Sequence, residues 1–445
     1  MQALDGLLLL AGVVAPAEAQ RVRPRQPSQP QQPAQPTNPA VNPAAPTDSS
    51  PAAEPASDEQ ADRAPEPELE PSPYITRLNI KPWTFRGEVH ISAYQDAPRG
   101  PDDTRELTII PMDFTSATVL FPIVVETASA SVRMQETDSG EMPAIEGEVR
   151  INDRPVPQDL AFVQRGLDGE LLPGGTWRAQ WLVAQPDQSG FRNVRQVDLK
   201  FQLPVEAGET RFDERAASLV AWPKGPWPEA ARAALVDEPF IEYEPGRSNR
   251  AYRTDRIDAL LSQWLEGNDP QTLEPVVLAK WIAGNVAETI QPTGKGLVFD
   301  GRRTLMAGFD LQPPETTAEN GRGSPFDMTN LLVAMYRRAG LPARVVIGYD
   351  VNAAKVGKTF YDDRDGDAEI RSWAEFCLYD EANGTLGWVP VDVVAMRDRS
   401  SRMPPRYLER PARYFGSHPD LDEVIPIAFQ YVPAKTSAVY YNAPS

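Results

Sequence analysis

The chain has 445 residues and a formal net charge of −19, with two histidines and one cysteine. That length supports two or three domains and a substantial core. The acidic balance argues against nucleic acid or an anionic membrane surface as partner, because both select for lysine and arginine patches. A single cysteine excludes an intrachain disulfide, and with two histidines it leaves too few ligands for a zinc site, so no metal or other cofactor is expected.

Residues 7–14 form a short apolar run followed by Ala17-Glu18-Ala19, which predicts a signal peptide over residues 1–19 with cleavage before Gln20. Its first six residues carry Asp5 and no basic residue, an atypical opening for an export signal. No later run reaches the ~18 apolar residues needed to span a bilayer, so no transmembrane helix is expected after it. Residues 20–73 are rich in Pro, Ala and Gln and then in acidic side chains. With little aromatic or β-branched content they are expected to form a disordered linker.

Residues 74–212 change to strands with turn punctuation. Trp177, Ala179 and Trp181 alternate with polar neighbours, as do Val197, Leu199, Phe201 and Leu203, the period of a half-buried strand. Residues 107–110, 116–125 and 145–151 add further strands, with Pro-Asp, Asn-Asp and Gly-Gly pairs between them. An antiparallel β-sandwich of about seven strands is predicted, its simplest role that of a spacer or adhesion module.

From residue 213 the pattern turns helical. Trp222 and Trp227, each beside prolines, are expected to clamp two domains together. Thr254 predicts a helix start, with Ile257, Leu260, Leu261, Trp264 and Leu265 on one side and Gly267 at the stop. Leu278, Trp281, Ile282 and Val286 mark a second helix. Residues 301–323, mostly polar and punctuated by glycine and proline, read as a loop. The acidic run Asp362-Asp363-Arg364-Asp365-Gly366-Asp367 offers oxygen ligands, but calcium-loop spacing would put Tyr361 and Ser372 at its ends. It is expected to be a solvated loop.

The chain is organised around residues 324–349. Met328, Leu331, Leu332, Met335 and Ala339 recur at three- and four-residue intervals, so they share one helix face that must be buried. Ser324 suits the N-cap, Pro325 the first helical position, where its missing N–H costs nothing, and Asp327 completes a capping box. Gly340 and Pro342 end the helix, and residues 344–349 predict a buried strand. Cys377, within the apolar strand that follows, is expected to behave as a small buried hydrophobe.

The ending Arg337-Arg338-Ala339-Gly340-Leu341-Pro342-Ala343-Arg344, then Arg371-Ser372-Trp373-Ala374-Glu375 and Gly387-Trp388-Val389-Pro390-Val391-Asp392, resembles the transglutaminase-like superfamily, of papain-like cysteine-proteinase fold. The resemblance implies an α+β core over residues 213–400, preceded by the sandwich of 74–212 and followed by an extension, 401–445, packing on the core. It also places the family's nucleophilic cysteine on Pro325 and its histidine on Arg371, leaving Asp392 of the triad. Acyl transfer by that route needs a thiolate, an imidazole to carry the proton and an acid to orient it. Pro325 has no nucleophile and no N–H to offer an oxyanion. Arg371 stays protonated and cannot act as a base.

A degenerate triad at Pro325, Arg371 and Asp392 therefore predicts no catalytic residue of the family's kind and a salt bridge between Arg371 and Asp392. Arg371, Asp392, Trp373 and Ser324 are the candidate binding residues. The leading expectation is an exported, non-catalytic binding or scaffolding module of the cell envelope, its partner a protein, a peptide or an envelope polymer. The alternative is an acyltransferase or peptidase with a rebuilt site around Ser324 or Cys377. In a third arrangement the sandwich binds and the core is its platform.

Overall fold

The structure, a computed structural model, describes residues 2–3, 69–96, 107–137, 140–157, 161–165, 176–184, 190–235, 253–299, 306–351, 370–399, 413–429 and 439–441. Residues 4–19 of the expected signal peptide, the linker up to residue 68 and the acidic run 362–367 lie outside them.

Strand β1 (Glu70–Pro71) comes first, followed by the long strand β2 (Ile75–Ile91). Then come β3 (Ser116–Val124), β4 (Ala130–Val132), β5 (Glu146–Ile151), β6 (Arg154–Pro155), β7 (Ala161–Arg165), β8 (Thr176–Ala184) and β9 (Val197–Phe212), among shorter hairpins. One sheet joins β2, β9, β5 and β6, with β4 also on β9, and a second joins β7, β8 and β3. The predicted alternation along β9 is present: Val197, Leu199, Phe201, Leu203 and Val205 are buried. They share one apolar cluster with Trp83, Phe85 and Val89 of β2 and with Ala117 and Ile123 of β3. Pairing the two sheets face to face keeps those side chains from water.

The second half begins with α1 (Asp255–Trp264) and α2 (Pro275–Thr289). A third helix, α3 (Pro314–Asn320), stands where a loop was expected. Pro314 occupies its first turn and Gly321, at φ 62°, its left-handed C-cap, the proline-start, glycine-stop asymmetry of short helices. Glu315 at its start explains why α1 begins where it does. Thr254 makes no side-chain hydrogen bond to the α1 backbone; instead Glu315 accepts the Arg256 N–H at 2.7 Å and the Ile257 N–H at 3.2 Å. The cap is supplied by another helix.

Helix α4 (Pro325–Arg338) is the centre of this half, buried along almost its whole length. It lies against strands β10 (Ala343–Asp350), β11 (Ile370–Asp380) and β12 (Thr385–Val391), followed by α5 (Val393–Arg399) and β13 (Val424–Ala428). The sheet runs β1-β12-β11-β10-β13. Tyr336 of α4 packs edge-on to Phe376 of β11, their centroids 5.8 Å apart, and donates its hydroxyl to the Ala279 carbonyl of α2 at 2.9 Å.

Three expectations change. Glu70 and Pro71, assigned to the linker, pair in parallel with Thr385 and Leu386 as an edge strand. The C-terminal extension does not merely pack across the core: β13 is a strand of the same sheet, and the short strand β14 (Val439–Tyr441) pairs with β3. Trp222 and Trp227 do not clamp two domains. They meet edge-on at 6.2 Å and pack on the second-half core, with the Trp222 N–H on the Leu273 carbonyl.

The two halves also share buried chemistry. Arg344 of β10 is 1% exposed and pairs with Glu375 of β11 at 2.7 Å, its guanidinium lying 4.0 Å from the Trp388 ring and 4.1 Å from the Phe429 ring. Glu375 accepts the Ala128 N–H at 2.9 Å, and Arg344 donates to the Glu126 carbonyl. These contacts satisfy a buried ion pair with groups from the first half, so residue 212 marks a change of element type within one compact unit.

Candidate active site with an altered triad

The start of α4 is built by its own first residues. Ser324 accepts the Asp327 N–H at 3.2 Å and donates its hydroxyl to the Asp327 carboxylate at 2.8 Å, which also accepts the Ser324 N–H at 2.8 Å. This is a complete capping box, with Pro325 at the first helical position. Asp327 also takes the Gln312 N–H at 2.9 Å. Burial pushes its carboxyl above the ordinary value even though these donors favour the charged form. Gly296, at φ 71°, presses on this cap: a Cβ there would sit 2.6 Å from Ser324 Oγ and 2.7 Å from the Phe326 ring.

One turn further, Thr329 meets Ser372 of β11, hydroxyl to hydroxyl at 3.1 Å, joining the helix to the strand that carries Arg371. The Arg371 guanidinium donates to Asp392 at 3.0 Å and to Asp350, at the end of β10, at 3.4 Å. Burial alone would lower its pKa, but these carboxylates hold it above the ordinary arginine value. Among the described residues two of its five N–H groups are engaged, and the side chain is 23% exposed.

Asp392 has further partners. It accepts the Ala395 N–H at 2.8 Å, capping α5, and faces the His418 imidazole at 3.3 Å. Burial would raise its pKa. The His418 hydrogen bond, the Arg371 charge and the α5 N–H together hold it down at about 2. His418 is completely buried, and its Nδ1 accepts the Asp420 N–H at 3.2 Å. That bond assigns the proton to Nε2, which donates to Asp392. Burial lowers the His418 pKa, so the ring is neutral. With both nitrogens committed it has none left to activate a nucleophile.

The other sequence candidates fall elsewhere. Trp373, expected as a binding residue, is 1% exposed and packs among Val124, Val346, Leu421, Val424 and Phe429, so it offers no face to a ligand. Ser324 is 4% exposed and committed to the cap. Cys377 is wholly buried within β11, and burial pushes its thiol up, away from the thiolate that a nucleophile requires. His418 and Asp350 were missed. The rarity of histidine was the available signal for His418, but it lies 26 residues beyond Asp392, outside every motif.

Residues 301–393 match the family model described as the transglutaminase-like superfamily. This segment is a transglutaminase-like core. Among solved structures, the chain is similar to a proposed cysteine protease from Cytophaga hutchinsonii, at 13% identity and a TM-score of 0.42, covering 83% of this chain and 89% of that one. It is also similar to the periplasmic domain of TgpA from Pseudomonas aeruginosa, at 14% identity and a TM-score of 0.26, covering 60% of this chain and 92% of that one. No curated protein matches the chain. The matched segment contains Pro325, Arg371 and Asp392, and no helix among the described residues is long and apolar enough to cross a membrane.

Proposed function

We propose that the transglutaminase-like core is a non-catalytic module of an exported protein, binding a carboxylate-bearing peptide or envelope polymer through Arg371. The observation that carries this reading is the pairing of Arg371 with Asp392, an arginine standing where the family's acid would orient a histidine. No group in the described surroundings performs the missing steps. Pro325 cannot attack, Ser324 caps, Cys377 is sealed in the core, and His418 is spent on Asp392 and Asp420.

What remains is a partly exposed guanidinium oriented by two carboxylates, with N–H groups left for a ligand. Arginine suits this role because its planar fork matches a carboxylate with two parallel hydrogen bonds. The apolar run at residues 7–14 and the Ala-x-Ala step support export. The test is a binding titration of the full chain with an unlabelled peptide ending in a free carboxylate, against the same peptide amidated at its C-terminus. Binding of the free acid that is lost in Arg371→Ala, with the melting temperature retained, is the expected result. Equal binding of the two peptides, or binding that survives Arg371→Ala, would sink the reading.

A further inference from the structure

A second candidate site lies away from the triad positions, at the junction of β2 and β9. Leu78, Ile80 and Leu219 are the large hydrophobic side chains left exposed among the described residues, at 40%, 52% and 81%. One cavity of about 700 Å3 opens beside this stretch of chain. Leu78 lines it, Ile80 follows two residues along β2, and Leu219 comes directly after the lining residue Ser218. Tyr74 and Phe212 complete its apolar wall. Large apolar side chains exposed together mark a surface that has something to cover it.

The charges on the rim select the occupant. Four charged side chains line the cavity: Arg211, Asp213, Glu214 and Arg215. Both carboxylates are already used. Asp213 accepts the Ala216 N–H at 3.0 Å as the cap of the short helix Glu214–Ala217, and Glu214 is ion-paired with Lys280. Arg211 and Arg215 are exposed, and neither guanidinium has a partner among the described residues. The free valence of this rim is therefore cationic, on a chain whose net charge is −19.

We propose that the cavity docks an acidic segment of a partner protein, which seats an apolar side chain against Leu78 and Phe212 and sets carboxylates on Arg211 and Arg215. A chain segment fits better than a small molecule because it can reach Arg211, Arg215 and the apolar wall of Leu78 and Phe212 at once across a cavity of about 700 Å3. Long-range repulsion from the acidic chain means that charge alone does not hold the partner. Apolar burial and local pairing act together.

The experiment is fluorescence anisotropy of the full chain with a fluorescein-labelled peptide in which Glu and Asp alternate with Leu and Phe. The control peptide replaces Glu and Asp by Gln and Asn, and phenylacetate serves as a small competitor. The expected result is saturable binding that weakens about tenfold or more, about 1.4 kcal/mol, in Arg211→Glu/Arg215→Glu, in Leu78→Ser and with the amide control. The titrations are run in the Arg371→Ala background, which removes carboxylate binding at the triad positions and leaves this site as the one read. Should the charge reversal lower the melting temperature, Arg211→Gln/Arg215→Gln replaces it with the same expectation. Absence of saturable binding, equal binding of the amide peptide, persistence in the double variants, or phenylacetate binding as tightly as the peptide would each overturn the proposal.

Discussion

His418 donates its Nε2 proton to the same carboxylate, Asp392, that receives Arg371, so one buried acid holds a guanidinium on one side and a neutral imidazole on the other. Truncating that acid leaves a mostly buried cation and an unsatisfied imidazole N–H. Asp392→Ala is expected to cost about 3–5 kcal/mol in denaturant unfolding, the usual range when one partner of a buried pair is removed. Arg371→Ala should cost clearly less, because Asp392 keeps His418 and the Ala395 N–H. Equal costs would show that the imidazole contributes nothing.

The same cluster sets an acid response in two steps. His418 has its pKa lowered from 6.5, so the unfolded chain takes up the proton first, and stability falls as pH drops below about 6.5 towards the lower folded value. Asp392 is held at about 2 against an ordinary 3.8. It therefore stabilises the fold fully above 3.8 and loses that contribution as pH falls from 3.8 towards 2. Asp327, with its pKa raised, works in the opposite sense: its contribution is present at low pH and is lost as pH rises through the folded value. Melting temperatures across pH 3–8 should show the upper step in the native chain and not in His418→Gln. An upper step that persists in the variant would remove His418 as its source.

Gly296 lies against the Ser324 cap with positive φ and no room for a Cβ. Gly296→Ala is expected to destabilise by more than about 1 kcal/mol, since both the backbone conformation and the contact oppose it. Calorimetry showing no change would mean that the loop moves away freely.

Arg344 and Glu375 form a buried pair inside an aromatic clamp. Glu375→Ala alone should cost about 3–5 kcal/mol, while an apolar pair, Arg344→Met/Glu375→Leu, should cost much less than the sum of the single changes. The apolar pair still leaves the Ala128 N–H and the Glu126 carbonyl without their partners, so some loss remains. Additive losses would show that the pair does not couple.

What the sequence made legible was local. The start and stop of α4 were readable because Ser324, Pro325, Asp327 and Gly340 act within a few residues of one another, and β9 because alternation reports one covered face. Motif order located Arg371 on β11 and Asp392 directly after the adjoining strand β12. Two features hid the rest. Residues 301–323 look like a loop because α3 takes little stability from its own composition. Its Glu315 acts on another helix, a tertiary contact with no sequence period. Trp373 looked available because a strand covered on both faces gives no alternation to reveal burial: Ser372 meets α4 while Trp373 packs against Val124 of β3. His418 reaches Asp392 through the returning C-terminal segment, which only the folded sheet brings near.

The proposed non-catalytic role is tested most directly by assaying the full native chain, beside Ser324→Ala and Cys377→Ala, for ammonia release, amine incorporation and hydrolysis on glutamine-containing acyl donor peptides. The account predicts no turnover above the uncatalysed rate from a folded native chain. Turnover by the native chain that disappears in either variant would contradict it and identify a rebuilt nucleophile.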